Sequence, residues 1–315
     1  MAISVSMTLN SYSNGKLFLI FFTLLCQQNE AVASDFILKN IDISLGFSER
    51  KDSLNWNIAG STINILSELE WNQLQIKQIQ ANATLHLPQH LNLAIDIQRG
   101  SIHSGENTDS DYDGNHRTLP FSRAKSRGGG DVNDWSIGVG KEIKVTATAS
   151  ITPSVGWSQH QQNLTVTQGF QVIPEDEPFY GAFGGLNNRY DAEWKGLWLG
   201  IASQFALAQQ WTLSTDLKYH RVDYAADANW NLRHEFMHPL SFEHQAKGVG
   251  VEAAVAVSYP MSTHTKLQFL MQYQKWQTST GQDNTYFVAG TTSTYVLNQV
   301  NWHSQSYGLS LIYQF

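Results

Sequence analysis

The sequence is short of cysteine, of charge and of long apolar runs, and each shortage removes a class of protein. One cysteine, Cys26, stands among 315 residues, which leaves nothing from which to build a disulfide framework. Nowhere do about 20 apolar residues run together, the length a membrane-spanning helix needs. The one concentrated apolar stretch, residues 17–26 (LFLIFFTLLC), is too short to span. Charged residues make up 15% of the chain and the net charge is −7, so there is no basic footprint for nucleic acid. What is present is aromatic: 10 Trp, 12 Tyr and 15 Phe, in a chain whose mean hydropathy is only −0.30. Apolar residues are spread thinly among Gln, Asn, Ser and Thr. That combination suits strands showing lipid one face and water the other.

Residues 1–33 read as an export signal. Lys16 supplies the positive charge, residues 17–26 the apolar segment, and Ala31-Val32-Ala33 the small residues of a cleavage site. Cleavage after Ala33 removes Cys26, Lys16 and Glu30, so the net charge stays at −7 and residues 34–315 hold no thiol. The polar QQNE stretch argues against a buried N-terminal helix, and Leu25 against lipidation at Cys26.

Period-two alternation dominates the rest. Tyr307, Leu309, Leu311, Tyr313 and Phe315 fall on one face of the C-terminal segment, opposite Ser306, Gly308, Ser310 and Gln314. Leu267, Phe269, Met271 and Tyr273 repeat the pattern, as do Val249, Val251, Val255 and Tyr259, and then Trp211, Leu213, Leu217 and Tyr219. It recurs in 79–87, 91–97 and 41–47. The runs are about ten residues long, enough to cross a bilayer at a tilt. Short links near 88–90, 147–150, 208–210 and 260–264 alternate with long polar ones near 49–60, 100–133, 169–189, 231–247 and 278–299. Short periplasmic turns and long outer loops are the habit of outer-membrane barrels. The expectation is an all-β fold, a transmembrane antiparallel up-and-down β-barrel of about ten strands in the bacterial outer membrane. Lys141 and the Trp194/Trp198 pair interrupt the clean face, and a bulge there would restore it.

Trp56, Trp71, Trp135, Trp157, Trp211, Trp276 and Trp302 lie near expected strand ends, where indole rings favour the lipid–water boundary. The terminal Phe315 is similar to the signal read by the outer-membrane barrel-assembly machinery, the expected partner beside outer-membrane lipid and lipopolysaccharide. Asp42, Asp96, Glu142, Lys144, Asp216, Lys218, Glu252 and Lys266 are expected to line the lumen. About ten strands enclose a narrow or partly occluded passage, one that small solutes alone could use.

Two resemblances follow. The stretches 64–71 (NILSELEW), 109–112 (DSDY), 190–196 (YDAEWKG), 224–233 (YAADANWNLR) and 297–302 (LNQVNW) resemble the Protochlamydia outer membrane protein family. That resemblance implies a porin-like barrel of undefined solute. The second is architectural, to the omptins, ten-stranded outer-membrane proteases. Residues 41–46 (IDISLG) are similar to an omptin first strand, and Asp109-Ser110-Asp111-Tyr112 looks like the omptin Asp-x-Asp-aromatic motif. Omptins also need an Asp-x-His pair, in which the imidazole is the base. The positions expected to match hold Asn229 and Asn231, and no Asp-x-His occurs in the chain. An amide accepts no proton at neutral pH, so Asp109, Asp111 and Asp113 read as a solvated acidic loop or a cation-attracting vestibule.

Two further motifs are declined. His234-Glu235-Phe236-Met237-His238 matches H-E-x-x-H, but Pro239 follows and helical periodicity is missing, so His234, His238 and His244 are not read as zinc ligands. Arg127-Gly128-Gly129-Gly130 lacks the following Lys-Ser/Thr and helix of a phosphate loop. The expectation is a non-enzymatic barrel without metal or cofactor, a narrow porin or a structural surface protein. The alternatives are an omptin-like endopeptidase with a displaced pair, using Asp227 or His220, and an adhesin carried by the long loops.

Overall fold

A computed structural model describes residues 40–174 and 180–315, so the expected export segment 1–33 lies outside the described residues. The strands in chain order are β1 (Ile41–Ala59), β2 (Ser67–Leu87), β3 (Leu91–Tyr112), β4 (Pro120–Lys141), β5 (Ile143–Lys144) and β6 (Ala149–Ile173). They continue with β7 (Gly181–Ala206), β8 (Thr212–Asn229), β9 (Phe242–Pro260), β10 (Thr265–Thr278), β11 (Gly281–Tyr286) and β12 (Thr292–Gln314). Ten are long. Each pairs antiparallel with the next long strand, and β12 returns to β1 with Asp42 opposite Gln314. The ring is closed, and closure leaves no free edge to aggregate. β5 only widens the turn beside β6, while β11 takes over from the shorter β10 between β9 and β12. This is the expected all-β, up-and-down barrel.

The short turns 88–90, 208–210 and 261–264 lie at one end, together with Ile41 and Phe315, whose N–H donates to the Ile41 carbonyl at 3.2 Å. In outer-membrane barrels that end faces the periplasm.

The outer segments correct the sequence reading. Most of 49–60, 100–133, 169–189 and 278–299 is strand, whereas 231–247 keeps a long loop that runs from the end of β8 at Asn229 to the start of β9 at Phe242. These stretches look polar because the two faces exchange their chemistry partway up the strands while the alternation of facing runs on. On β1, Ile43, Leu45 and Phe47 point outward near the periplasm and Asp42, Ser44 and Gly46 inward. Higher up, Glu49, Lys51 and Ser53 point outward while Leu54, Trp56 and Ile58 are buried inside. β12 does the same, with Leu309 and Leu311 outward below and Val300 and Trp302 inward above. Below, the outer face meets lipid. Above, it meets water, and the apolar residues turn inward to find a dry environment.

This exchange relocates four tryptophans expected at the lipid boundary: Trp56, Trp71, Trp276 and Trp302 are packed inside the barrel. Trp135 and Trp157 do face outward, 4.9 Å apart between centroids, and Trp211 packs on Tyr259 at 4.8 Å. No bulge is needed at Lys141 or at Trp194/Trp198. Register is regular from Arg127 to Gly140 against β6 and from Arg189 to Ala206 of β7 against β8. Both tryptophans simply point inward. Their neighbours make room: a Cβ on Gly156 would sit 2.3 Å from the Trp198 ring, and one on Gly250 would sit 2.3 Å from Trp276. Bulges occur instead higher up, as between Asp52 and Leu54 and between Ile102 and Glu106.

Candidate functional site

The interior has three layers. From the periplasmic end a polar cavity of about 450 Å3 rises into the barrel, lined in part by Asp42, Asp96, Glu142, Asp216 and Lys218. Alternation on β1, β3 and β8 points Asp42, Asp96, Asp216 and Lys218 into it, and Glu142 reaches it from the residue between β4 and β5. Gln314 donates to Asp42 at 2.8 Å, Asn82 to Asp96 at 2.7 Å, and Lys218 lies 3.2 Å from Asp216. Lys218 also donates to Glu252 at 2.9 Å, at the roof of the cavity. Two expected lumen residues depart from this set. Lys144 is exposed on β5, the two-residue strand that pairs with β6 beyond the end of β4. Lys266 keeps the inward phase of β10, but it sits in the first residues of the strand and does not line the cavity.

Above the cavity lies a buried ionic layer. Arg50 pairs with Asp52 at 2.7 Å and with Asp134, and Trp302 Nε1 donates to Asp52 at 3.0 Å. His160 approaches Asp134 at 3.4 Å, and His220 Nδ1 lies 3.2 Å from Ser158 Oγ. A small cavity of about 40 Å3 between these groups joins Glu252 and Lys218 to His160 and His220. The sequence reading missed Arg50, Asp52, Asp134 and His160. Arg50 and Asp52 share the phase of Asp42, and that alternation was the available signal, hidden once 49–60 was taken as loop.

The third layer is aromatic. Trp276 stacks on Trp302 with centroids 5.2 Å apart, and Trp194 stands 6.0 Å from Trp276. Trp56 and Trp71 continue upward against Tyr190. All five indoles are buried, and burying each contributes about 4–6 kcal/mol by area alone. Within this layer Asp283 accepts from His244 at 2.8 Å, His244 Nδ1 meets the Tyr190 hydroxyl at 2.8 Å, and Tyr190 meets Tyr224 at 2.6 Å. Burial pushes both phenols above their ordinary range, for Tyr190 with the help of Tyr224. His244 is thus engaged in a core network. The H-E-x-x-H stretch is not helical, and His238 bonds Asn229 at 2.7 Å.

Asp109 and Asp111 lie on the inward face near the extracellular rim, where Asp109 pairs across β2 with the buried Leu69. The indole of Trp230 donates to Asp109 at 3.4 Å. The inward residues at this height are Ala226 and Ala228 on β8 and Trp230 just beyond its end. Asn229 and Asn231, matched to the omptin pair by sequence, are one position out of phase. Asp227 points outward, and His220 lies roughly 33 Å down β8 from Trp230 at strand rise.

A lipid-facing belt on a sealed ring with a polar lower interior defines an outer-membrane β-barrel. The model of the Protochlamydia outer membrane protein family matches residues 43–315, and the chain belongs to that family. It resides in the bacterial outer membrane. No curated protein matches by sequence. Among solved structures the chain is similar to the outer membrane protease OmpT from Escherichia coli, with 14% identity, 88% of this chain and 97% of that chain covered, and a TM-score of 0.74. At that identity the likeness shows the fold alone. The translocator domain of the autotransporter NalP from Neisseria meningitidis has 10% identity over 95% of this chain and 98% of its own, with a TM-score of 0.37. The outer membrane protein OprG from Pseudomonas aeruginosa has 10% over 88% and 96%, with a TM-score of 0.34.

Proposed function

We propose that the protein is a closed, non-enzymatic outer-membrane barrel that acts as a structural and surface-presenting element. The observation that supports this reading is the stacked pair Trp276–Trp302, seated with Trp194, Trp56 and Trp71 across the path that solute would take. A ten-stranded barrel has a lumen only a few side chains wide, so such a layer closes it. Peptidase chemistry lacks support for a different reason. The inward residues at the level of Asp109 are alanines on β8, with the Trp230 indole just beyond the strand, and none of these can take a proton from water.

A gated narrow porin is the second reading, favoured by the polar cavity that already occupies the periplasmic half. Planar-bilayer recording of refolded protein separates the two. The closed reading expects no conductance steps from the wild type at any voltage, and steps from the double variant Trp276→Ala/Trp302→Ala. Steps from the wild type would establish the porin instead. Incubation with a panel of basic peptides is expected to yield no cleavage, and cleavage lost in Asp111→Ala would restore the endopeptidase alternative.

A further inference from the structure

The cavity that opens at the periplasmic end is unbalanced in charge. Four carboxylates line it, Asp42, Asp96, Glu142 and Asp216, against one ammonium, Lys218. That ammonium is shared, lying 3.2 Å from Asp216 and 2.9 Å from Glu252 in the roof. Asp96 receives the Asn82 amide at 2.7 Å and the Ser136 hydroxyl at 3.3 Å, and among the described residues no cation lies in salt-bridge range of it. A concave surface with this surplus of one sign concentrates small ions of the other. Its volume of about 450 Å3 is that of a small-molecule site.

The carboxylates stand at two levels. Asp42 is the second residue of β1, and Glu142 follows the last residue of β4, both at the periplasmic mouth. Asp96 and Asp216 are the sixth and fifth residues of β3 and β8, three or four positions further in. On tilted strands that separates the levels by roughly 10 Å. One metal ion holds its ligands within about 2.6 Å and cannot serve both levels. Between them the lining turns apolar along Ile312, Ala256 and Leu270, which suits methylene groups.

A second feature lies directly above. Gln98 and Gln272 meet at 3.5 Å and, with Asp96 and Lys218, border both this cavity and the 40 Å3 one over it. His160 and His220 line that upper space, are only 4% and 1% exposed, and each has an Nε2 with no hydrogen-bond partner. With Nδ1 of His220 facing the Ser158 hydroxyl, its Nε2 can offer a lone pair to an N–H donor below. Buried polar atoms of this kind call for a partner.

We propose that the cavity is a binding site, reached from the periplasm, for a linear aliphatic diamine. One ammonium sits between Asp96 and Asp216 beneath the histidines, the other on Asp42, and the methylenes lie against Leu270 and Ile312. Two charge-assisted ends joined by an apolar chain match the lining in charge, spacing and polarity. The site lies below the aromatic layer, so the inference holds whether or not the lumen conducts.

The test is calorimetric titration of the full chain, refolded in neutral detergent, with pentamethylene diamine. Saturable binding is expected, with pentylamine and the corresponding diol each at least about tenfold weaker, for want of one or both charged ends. Asp96→Asn and Asp42→Asn should each weaken the diamine about tenfold. Asp42→Asn should leave pentylamine unchanged, because its single ammonium takes the deeper level. The control Asp227→Asn, on the outer face, should alter diamine binding by less than about twofold. If Asp96→Asn does not refold, Asp42→Asn at the mouth carries the test. Equal binding of the diol, an equal loss in the control, displacement by equimolar calcium, or no saturable binding at millimolar diamine would overturn the proposal.

Discussion

Arg50 illustrates how a single residue sets the interior. Its guanidinium meets Asp52 and Asp134 in a layer with almost no water access. Removing one partner of a buried pair leaves the other charges uncompensated, which costs more than the pair itself contributes. Arg50→Ala is therefore expected to lower stability by about 3–5 kcal/mol in urea titrations of the refolded barrel. A loss below about 1 kcal/mol would mean that water reaches Asp52 and Asp134. The residue was in plain sight in the sequence. It was unreadable as an interior group because Glu49, Lys51 and Asp52 beside it are charged too, and four charges in a row look like a loop.

At the scale of elements, the strands above the membrane carry an outward acidic row. Asp131 shares a level with Asn163, Asp191, Asp227 and Glu243 on successive strands, and Asp191 stands directly opposite Asp227, as Asp227 does opposite Glu243. Like charges in direct register destabilise a sheet. Partial burial, with Asp227 and Asp131 nearby, pushes Asp191 up despite Arg189, and partial burial with Glu243 pushes Asp227 up. A carboxyl whose folded pKa is raised holds its proton more tightly in the barrel than in the unfolded chain. Its contribution is therefore full at low pH and is lost as pH rises through the folded pKa. Asp227→Asn should raise the unfolding midpoint at pH 7, and the gain should shrink as pH falls through the raised folded pKa and vanish below the ordinary Asp value of about 3.9. A gain independent of pH would point to packing instead. Strand register, which creates this row, was not legible beforehand. Alternation fixes which side a residue faces, but it does not say which residue of the next strand stands opposite.

For the whole molecule, the C-terminus closes the ring. Tyr313 and Phe315 pack edge to face at 4.6 Å, and β12 is hydrogen-bonded to both β1 and β10. Recognition of this end by the assembly machinery is a proposal about the route to the membrane and concerns the finished barrel little, because Phe315 itself remains half exposed. Deleting Phe315 is expected to reduce the amount assembled in cells several-fold while leaving the urea midpoint of protein refolded in detergent within about 0.5 kcal/mol of wild type. Equal losses in both settings would assign Phe315 a purely structural part.

The sequence by itself determined the class of fold, the approximate number of membrane crossings and the phase of the seven crossings whose alternation is clean. Lipid on one side and polar groups on the other leave period-two alternation as the only workable pattern for a strand. It also placed Asp42, Asp96, Asp216, Lys218 and Glu252 inside, because they share that phase. Only the tertiary structure decided where the apolar residues pass from the outer face to the inner one, and so which tryptophans meet lipid and which meet one another. A strand carries no mark of where the bilayer ends, and an indole is equally at home at a lipid boundary or in a dry core. The packing of ten strands around one axis chooses between them.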